Sequence, residues 1–211
     1  MRQDTDAKKN ETKNLTILLP GGSLPLPILQ TVAELAERFG FGVYLTTVQN
    51  LRLVDVPAEA LAEVEAAVVA AGADIKRAGL FPKLKVCAGQ PHCNLATADG
   101  QKLARVIHER YGSRTGIKPK VKIAFAACPA SCSNATLADI GIVATRKGYD
   151  LYVGGKGGGR PQVGRRVLRG ADFDTIVEAV GRLVEYHQEK TGKKQRMFKL
   201  VDNDDFPYPA A

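Results

Sequence analysis

The residues in this chain best suited to chemistry are its four cysteines. They fall in two pairs, Cys87-Ala-Gly-Gln-Pro-His-Cys93 and Cys128-Pro-Ala-Ser-Cys132, with no thiol left over. Neither spacing is the C-x2-C knuckle of structural zinc modules. Wider spacings suit a larger metal group whose corners are each reached by a separate stretch of loop, and four thiolates are what a [4Fe–4S] cluster requires. A structural zinc site and four unrelated buried thiols are the competing readings. Between the pairs lies a basic segment, Lys118-Pro-Lys120-Val-Lys122, which feeds the apolar run Ile123-Ala-Phe-Ala-Ala127 that delivers the second pair.

The chain of 211 residues is long enough for one large domain or two small ones. No apolar run reaches the roughly 18 residues of a membrane span, and no secretory signal is visible. A cytoplasmic location follows by default, where cysteines serve metals more often than disulfides. The formal net charge of +8 has solubility as its plain reading. Nucleic-acid binding would interleave basic residues with aromatics, yet only 6% of the chain is aromatic and Trp is absent. Small anions or a polyanionic cofactor fit the charge better.

The elements that must position these residues follow from hydrophobic period. Residues 1–14 are polar, of mixed charge, and read as a disordered leader. Leu15–Pro20 reads as a strand, and Pro25–Phe39 as a helix with Ile28, Val32, Leu35 and Phe39 inward and Gly40 as its cap. Val43–Thr47 and Leu51–Asp55 read as strands. Pro57 then opens a second helix with Leu61, Val64 and Val68 on one face, closed by Gly72. This series predicts an α+β layer with two helices on one sheet face. Beyond Lys83 glycine and cationic residues become more frequent. There we expect strands at Leu84–Val86 and Val121–Phe125, a helix over Thr97–Tyr111, and paired strands Ile140–Ala144 and Tyr149–Val153 around Lys147-Gly148. The stretch Gly154-Gly-Lys-Gly-Gly-Gly-Arg160 is too glycine-rich for a regular element, and Asp172 starts a last helix ending near Gly192. The glycine stretch lacks the Gly-Lys-Ser/Thr ending of a nucleotide-binding loop. His92 reads as solvent-facing, His108 and His187 as structural, and Lys118 as surface charge.

With these features in order, the chain resembles the siroheme- and [4Fe–4S]-containing sulfite and nitrite reductases. The two cysteine pairs, followed by Ser133-Asn-Ala-Thr-Leu-Ala-Asp-Ile-Gly-Ile-Val143, are similar to that family's cluster signature and its next strand. Gly154–Arg160 resembles its next glycine-rich loop. Residues 15–78 are similar to its ferredoxin-like half-domain, with Leu45-Thr-Thr-Val-Gln49 at a Thr-Thr-Arg-Gln position. The resemblance implies a mixed α/β domain over 79–211 that binds both cofactors. It implies Cys87, Cys93, Cys128 and Cys132 as cluster ligands, with Cys132 also bridging to the siroheme iron. Siroheme carries eight carboxylates, for which Lys156, Arg160, Arg165 and Arg166 are the implied cations, with glycine backbone N–H groups able to approach an anion closely. Lys120 and Lys122 match the family's Lys-x-Lys, which holds the anionic substrate and supplies protons. On a strand they would share a face. Lys83 or Lys85 would supply the basic residue that precedes the first cysteine. Two departures stand out: Val48 replaces a substrate-binding arginine, and the second pair lacks the asparagine of Cys-Pro-Asn-x-Cys.

Three functions compete. The first is reduction of a small oxyanion, sulfite to sulfide or nitrite to ammonia, fed by a ferredoxin-like donor or a reductase subunit. The second is a non-catalytic siroheme or cluster carrier, and the third a metal-stabilised binding module without haem. The larger reductases carry two such units and this chain one, so a homodimer or a docked partner is expected to cover the siroheme.

Overall fold

The computed structural model describes residues 11–192 and 194–211. Most of the expected leader lies outside these residues. Two compact units divide between Arg77 and Ala78, and each is taken by itself.

The first unit runs β1 (Thr12–Leu18), α1 (Leu26–Phe39), β2 (Gly42–Leu45), β3 (Leu51–Pro57), α2 (Leu61–Ala70) and β4 (Asp74–Ile75). Its sheet has the order β2-β3-β1-β4 with every neighbouring pair antiparallel. Alternation builds it: Leu15 and Ile17 are buried opposite Leu53 and Leu51, with Arg52 turned out between them. The α1 face of Ile28, Val32 and Leu35 and the α2 face of Val64 and Val68 complete one core. Gly40, at φ 69°, ends α1 by donating its N–H to the Ala36 carbonyl.

Two expectations are corrected here, and one strand is added. Thr12–Asn14 belong to β1 instead of the leader, with the Asn14 side chain accepting from the Asp55 N–H at 3.2 Å. Pro57 closes β3 opposite Thr12 and does not open α2, because a strand end tolerates a residue without an N–H. The two-residue β4, in register through Ile17 and Ile75, is too short to show a period, yet it completes the ferredoxin-like order.

The second unit contains β5 (Lys85–Val86), α3 (Gly100–Tyr111), β6 (Ile123–Ala126), β7 (Ile140–Thr145), β8 (Gly148–Val153), β9 (Arg165–Ala171) and α4 (Phe173–Lys190). Its sheet follows chain order. β5, β6 and β7 are parallel, whereas β8 and β9 return antiparallel. One face buries Phe125, Ile140, Ile142 and Leu151 against Leu103 and Ile107 of α3 and Ile176, Val180 and Leu183 of α4. The opposite face carries small residues, Ala124, Ala126 and Gly141, and the 3-10 turn Ala135–Leu137 lies against it. A Cβ at Gly141 would stand 2.0 Å from the Ala135 carbonyl oxygen, so no other residue permits this approach. Among the described residues no helix is long and apolar enough to cross a membrane.

Asp172 caps α4 as expected, accepting from Thr175 N–H at 2.8 Å and from the Thr175 hydroxyl at 2.9 Å. These bonds hold its carboxyl below the usual aspartate range. A folded-state pKa that is depressed stabilises the fold above the unfolded value and ceases to do so as pH falls through the folded value. The Tm advantage of the native chain over Asp172→Asn is therefore expected at neutral pH and to close under acid, as a thermal scan across pH would show.

Candidate functional site

Both cysteine loops leave the carboxyl ends of adjacent parallel strands, the edge at which open α/β sheets bind ligands. Cys87 follows β5 directly and donates its N–H to the Phe125 carbonyl of β6 at 3.3 Å. In return the Ala127 N–H donates to Cys87 Sγ at 3.1 Å. The far side of the first loop is tied to the same point, since Thr97 donates to the Ala127 carbonyl through its N–H at 2.8 Å and its hydroxyl at 3.1 Å. Gln90 closes that loop, its N–H bonding to the Ala98 carbonyl and its side-chain amide to the Ala96 carbonyl. The second loop folds back through Ser131 N–H to the Cys128 carbonyl and through Ser133 Oγ to the Phe125 carbonyl at 2.7 Å.

The four thiols, all free, are thus carried by two loops laced to one strand edge. Cys87, Cys93 and Cys128 are half-buried, while Cys132 is exposed. Among the described residues no three His, Cys, Asp or Glu side chains converge as ligands to a single ion. Four thiols with an N–H already donated to one sulfur suit an iron–sulfur cluster, whose potential depends on such bonds.

Lys122 immediately precedes β6, its side chain exposed between buried Val121 and Ile123. Its N–H donates to Asp139 Oδ2 at 2.9 Å and its carbonyl accepts from Ile140 at 3.1 Å. Lys120 instead sits in a turn at φ 85°, so the strand period expected to place both lysines on one face does not apply to it. Lys118 is not free surface charge, since its ammonium donates to the Thr191 carbonyl at the end of α4. Lys83 Nζ lies 2.6 Å from Nε2 of His108 on α3, whereas Lys85 is in register with Ala124 and so shares the opposite sheet face with Lys122. Of the two basic residues before Cys87, only Lys85 falls on the sheet face of Lys122, two residues along from it.

The glycine-rich stretch is more ordered than its composition suggests. Lys156 and Gln162 exchange backbone hydrogen bonds of 2.8 and 2.7 Å across it. It docks on the segment that follows Cys132: Gly164 N–H donates to the Thr136 carbonyl at 2.8 Å, and a Cβ at Gly155 would meet the Thr136 and Ala138 carbonyls at 2.4 Å. Arg165 and Arg166 are not loop residues but open β9, a strand that polar, glycine-broken sequence concealed. Being adjacent on a strand, they point to opposite faces. Arg165 donates to the Val201 carbonyl, faces Asp202 at 3.4 Å and covers the Phe206 ring. Arg166 faces Asp150 at 3.5 Å. The Nε of each is buried without a hydrogen-bond partner. Lys156 lies over Phe198 at 4.5 Å, and Arg160 is exposed.

Two ends of one strand are therefore in play. The two cysteine loops leave from the carboxyl end of β6 and its neighbour β5, and Lys122 and the glycine loop lie at the amino end. The four residues of β6 separate these ends by roughly 13 Å. The residues missed in the sequence are Asp139 and the tail around Arg196–Asp202, which hold the amino end together. A carboxylate inside the apolar run Leu137–Val143 was the signal for Asp139.

Residues 82–205 match the family described as nitrite and sulphite reductase 4Fe-4S domain, and residues 6–71 match the nitrite/sulfite reductase ferredoxin-like half domain. The chain belongs to the nitrite and sulfite reductase family. Its cofactors are those of that family, a [4Fe–4S] cluster and siroheme, and its relatives are oxidoreductases. It is 28% identical to an assimilatory-type sulfite reductase of Nitratidesulfovibrio vulgaris over 87% of this chain and 84% of the relative. It is 27% identical to the large subunit of the NADH nitrite reductase of Escherichia coli, over 93% of this chain but only 23% of that subunit. The structure of the Mycobacterium tuberculosis NirA protein shares the fold, with a TM-score of 0.75 and 23% identity, covering 92% of this chain and 38% of the other. The α+β architecture expected from the sequence is the family's own.

Proposed function

We propose that the chain reduces a small oxyanion, sulfite to sulfide, with nitrite as the alternative substrate. The observation that carries this reading is the shared strand edge on which two separate loops present four free thiols, three half-buried and one, Cys132, open to a second group. In this reading the [4Fe–4S] cluster and siroheme supply the substrate-binding iron and the stepwise electrons. Cys87, Cys93 and Cys128 hold the cluster, and Cys132 also meets the siroheme. The glycine loop, with Lys156 and Arg160, faces its carboxylates, joined by at most one of Arg165 and Arg166, which point to opposite faces of β9. Lys122, with Lys85 further along the same sheet face, holds the anion and carries a proton toward departing oxygen. Lys120 contributes positive charge from the adjoining turn, whereas Lys83, held at His108 of α3, lies off the face of Lys122. Relatives of both kinds match at similar identity, 28% for the sulfite reductase and 27% for the nitrite reductase subunit, so the turnover comparison decides between the two anions.

A ferredoxin-like protein or a reductase subunit serves as donor, and a second copy or another partner covers the siroheme. The test is an absorption spectrum of the purified holoprotein, followed by steady-state turnover of sulfite and nitrite with a reduced dye. Haem and cluster bands with kcat/KM for sulfite above that for nitrite are expected. A colourless protein containing zinc would sink the proposal, and coloured protein inert toward both anions would favour a carrier.

A further inference from the structure

Asp139 is a fully buried carboxylate between Ala138 and Ile140, and none of its bonds is local in sequence. Its Oδ2 accepts from Lys122 N–H at 2.9 Å. Its Oδ1 accepts from Arg196 Nε at 2.7 Å and from Met197 N–H at 3.0 Å. Its carbonyl accepts from Gly154 N–H at 2.9 Å, and Arg196 reaches on to the Gly155 carbonyl at 3.2 Å. One carboxylate thus joins three segments: the backbone of the candidate substrate lysine, the root of the glycine-rich loop and the C-terminal tail. A buried charge left without its partners is costly, so these segments are held as a unit and cannot shift separately.

We propose that Asp139 is the positioning residue of the anion site, setting Lys122 and the glycine loop relative to each other. The proposal rests on the reading of Lys122 as a contact to the anion. Asparagine is the informative substitution because it keeps the shape. Its single oxygen can serve Arg196 and Met197, but its NH2 group then faces the Lys122 N–H, donor against donor. The bond to Lys122 is lost selectively, and Arg196 loses its counter-charge.

The experiment compares full-length native, Asp139→Asn and Arg196→Lys holoproteins by sulfite titration of the siroheme absorbance and by amide hydrogen exchange. In Asp139→Asn the sulfite Kd is expected to weaken about 10-fold, a loss within the range caused by small misplacements of a binding group. Cluster and siroheme content should stay unchanged, and exchange should quicken at the Lys122 amide with strands β7 and β8 unaffected. Arg196→Lys keeps the charge and folds more safely, and a weaker Kd of the same sign is expected. An unchanged Kd in both variants overturns the proposal, whatever happens to the amide. If Asp139→Asn loses its cofactors, the Kd of Arg196→Lys alone decides. If sulfite and nitrite leave the native spectrum unmoved, the functional reading fails. The positioning role is then judged by exchange, and an unaltered Lys122 amide in Asp139→Asn refutes it.

Discussion

Replacing Cys132 with serine is expected to lower sulfite turnover by more than about 100-fold, since even residues that merely support a metal ligand cost 10 to 100-fold. Cys132 is the exposed member of the four, on the second loop, while the other three are half-buried against the strand edge. A serine hydroxyl is a hard, neutral oxygen in place of a soft thiolate, so it neither holds iron at this position nor joins two groups. The fold should survive, because the side chain contributes little buried surface and the loop is fixed by Ser131, Ser133 and Thr97 bonding to backbone carbonyls. Iron and siroheme analysis, with the absorption spectrum, measures the outcome beside turnover. Full turnover with a complete cofactor complement in Cys132→Ser would remove this cysteine from the site. The same change at Cys93 should lower cluster iron, and comparing the two variants separates a ligand of the cluster from a residue that also meets the siroheme.

The second large effect is expected at Lys122. Methionine has a similar length without the charge, and the backbone bonds of this position, to Asp139 and from Ile140, are made by any residue. Because the side chain is exposed, the substitution should shift stability by no more than about 0.5 kcal/mol. Its kinetic effect should be far larger. Loss of an anion contact and proton donor is expected to lower kcat/KM for sulfite about 100-fold, the lower end of general-acid contributions. The cofactor spectrum should be unchanged. Lys120→Met should cost much less, because a turn at φ 85° takes Lys120 off the face that Lys122 shares with Lys85. Equal kcat/KM for Lys122→Met and the native chain would remove the lysine from the mechanism.

The helices were legible because their signals are local. Ile28, Val32 and Leu35 fall on one face of α1, and Asp172 with Thr175 spells out the cap of α4. The β7–β8 hairpin was equally plain, two apolar runs around Lys147-Gly148. The misreadings occurred where local signals were weak or pointed elsewhere. β4 is two residues long, and β9 is broken by bulges and rich in arginine, so neither shows a period. Pro57 suits a helix start and a strand end alike, and pairing with Thr12 decided between them. Lys120-x-Lys122 carries the spacing of a shared strand face, but Pro119 and Lys120 form a turn and the strand starts only at Ile123.

For the site, types and spacings were enough to identify the chemistry. A cysteine pair, two lysines, a second cysteine pair and a glycine-rich loop, in that order, pointed to a thiolate-bound metal group and an anion, and their resemblance to the sulfite and nitrite reductases named the family. Position was another matter. That Cys87 Sγ reaches the Ala127 N–H, next to Cys128, depends on the parallel register of Val86 with Phe125, strands far apart in the chain. That Lys122 and the glycine loop share the other end of β6 depends on Asp139, a carboxylate in an apolar run whose partners the local sequence does not name. Strand register and the satisfaction of buried charge are collective properties of the packed unit. They arise only when distant segments compete for the same hydrogen bonds, and so only the tertiary structure could decide them.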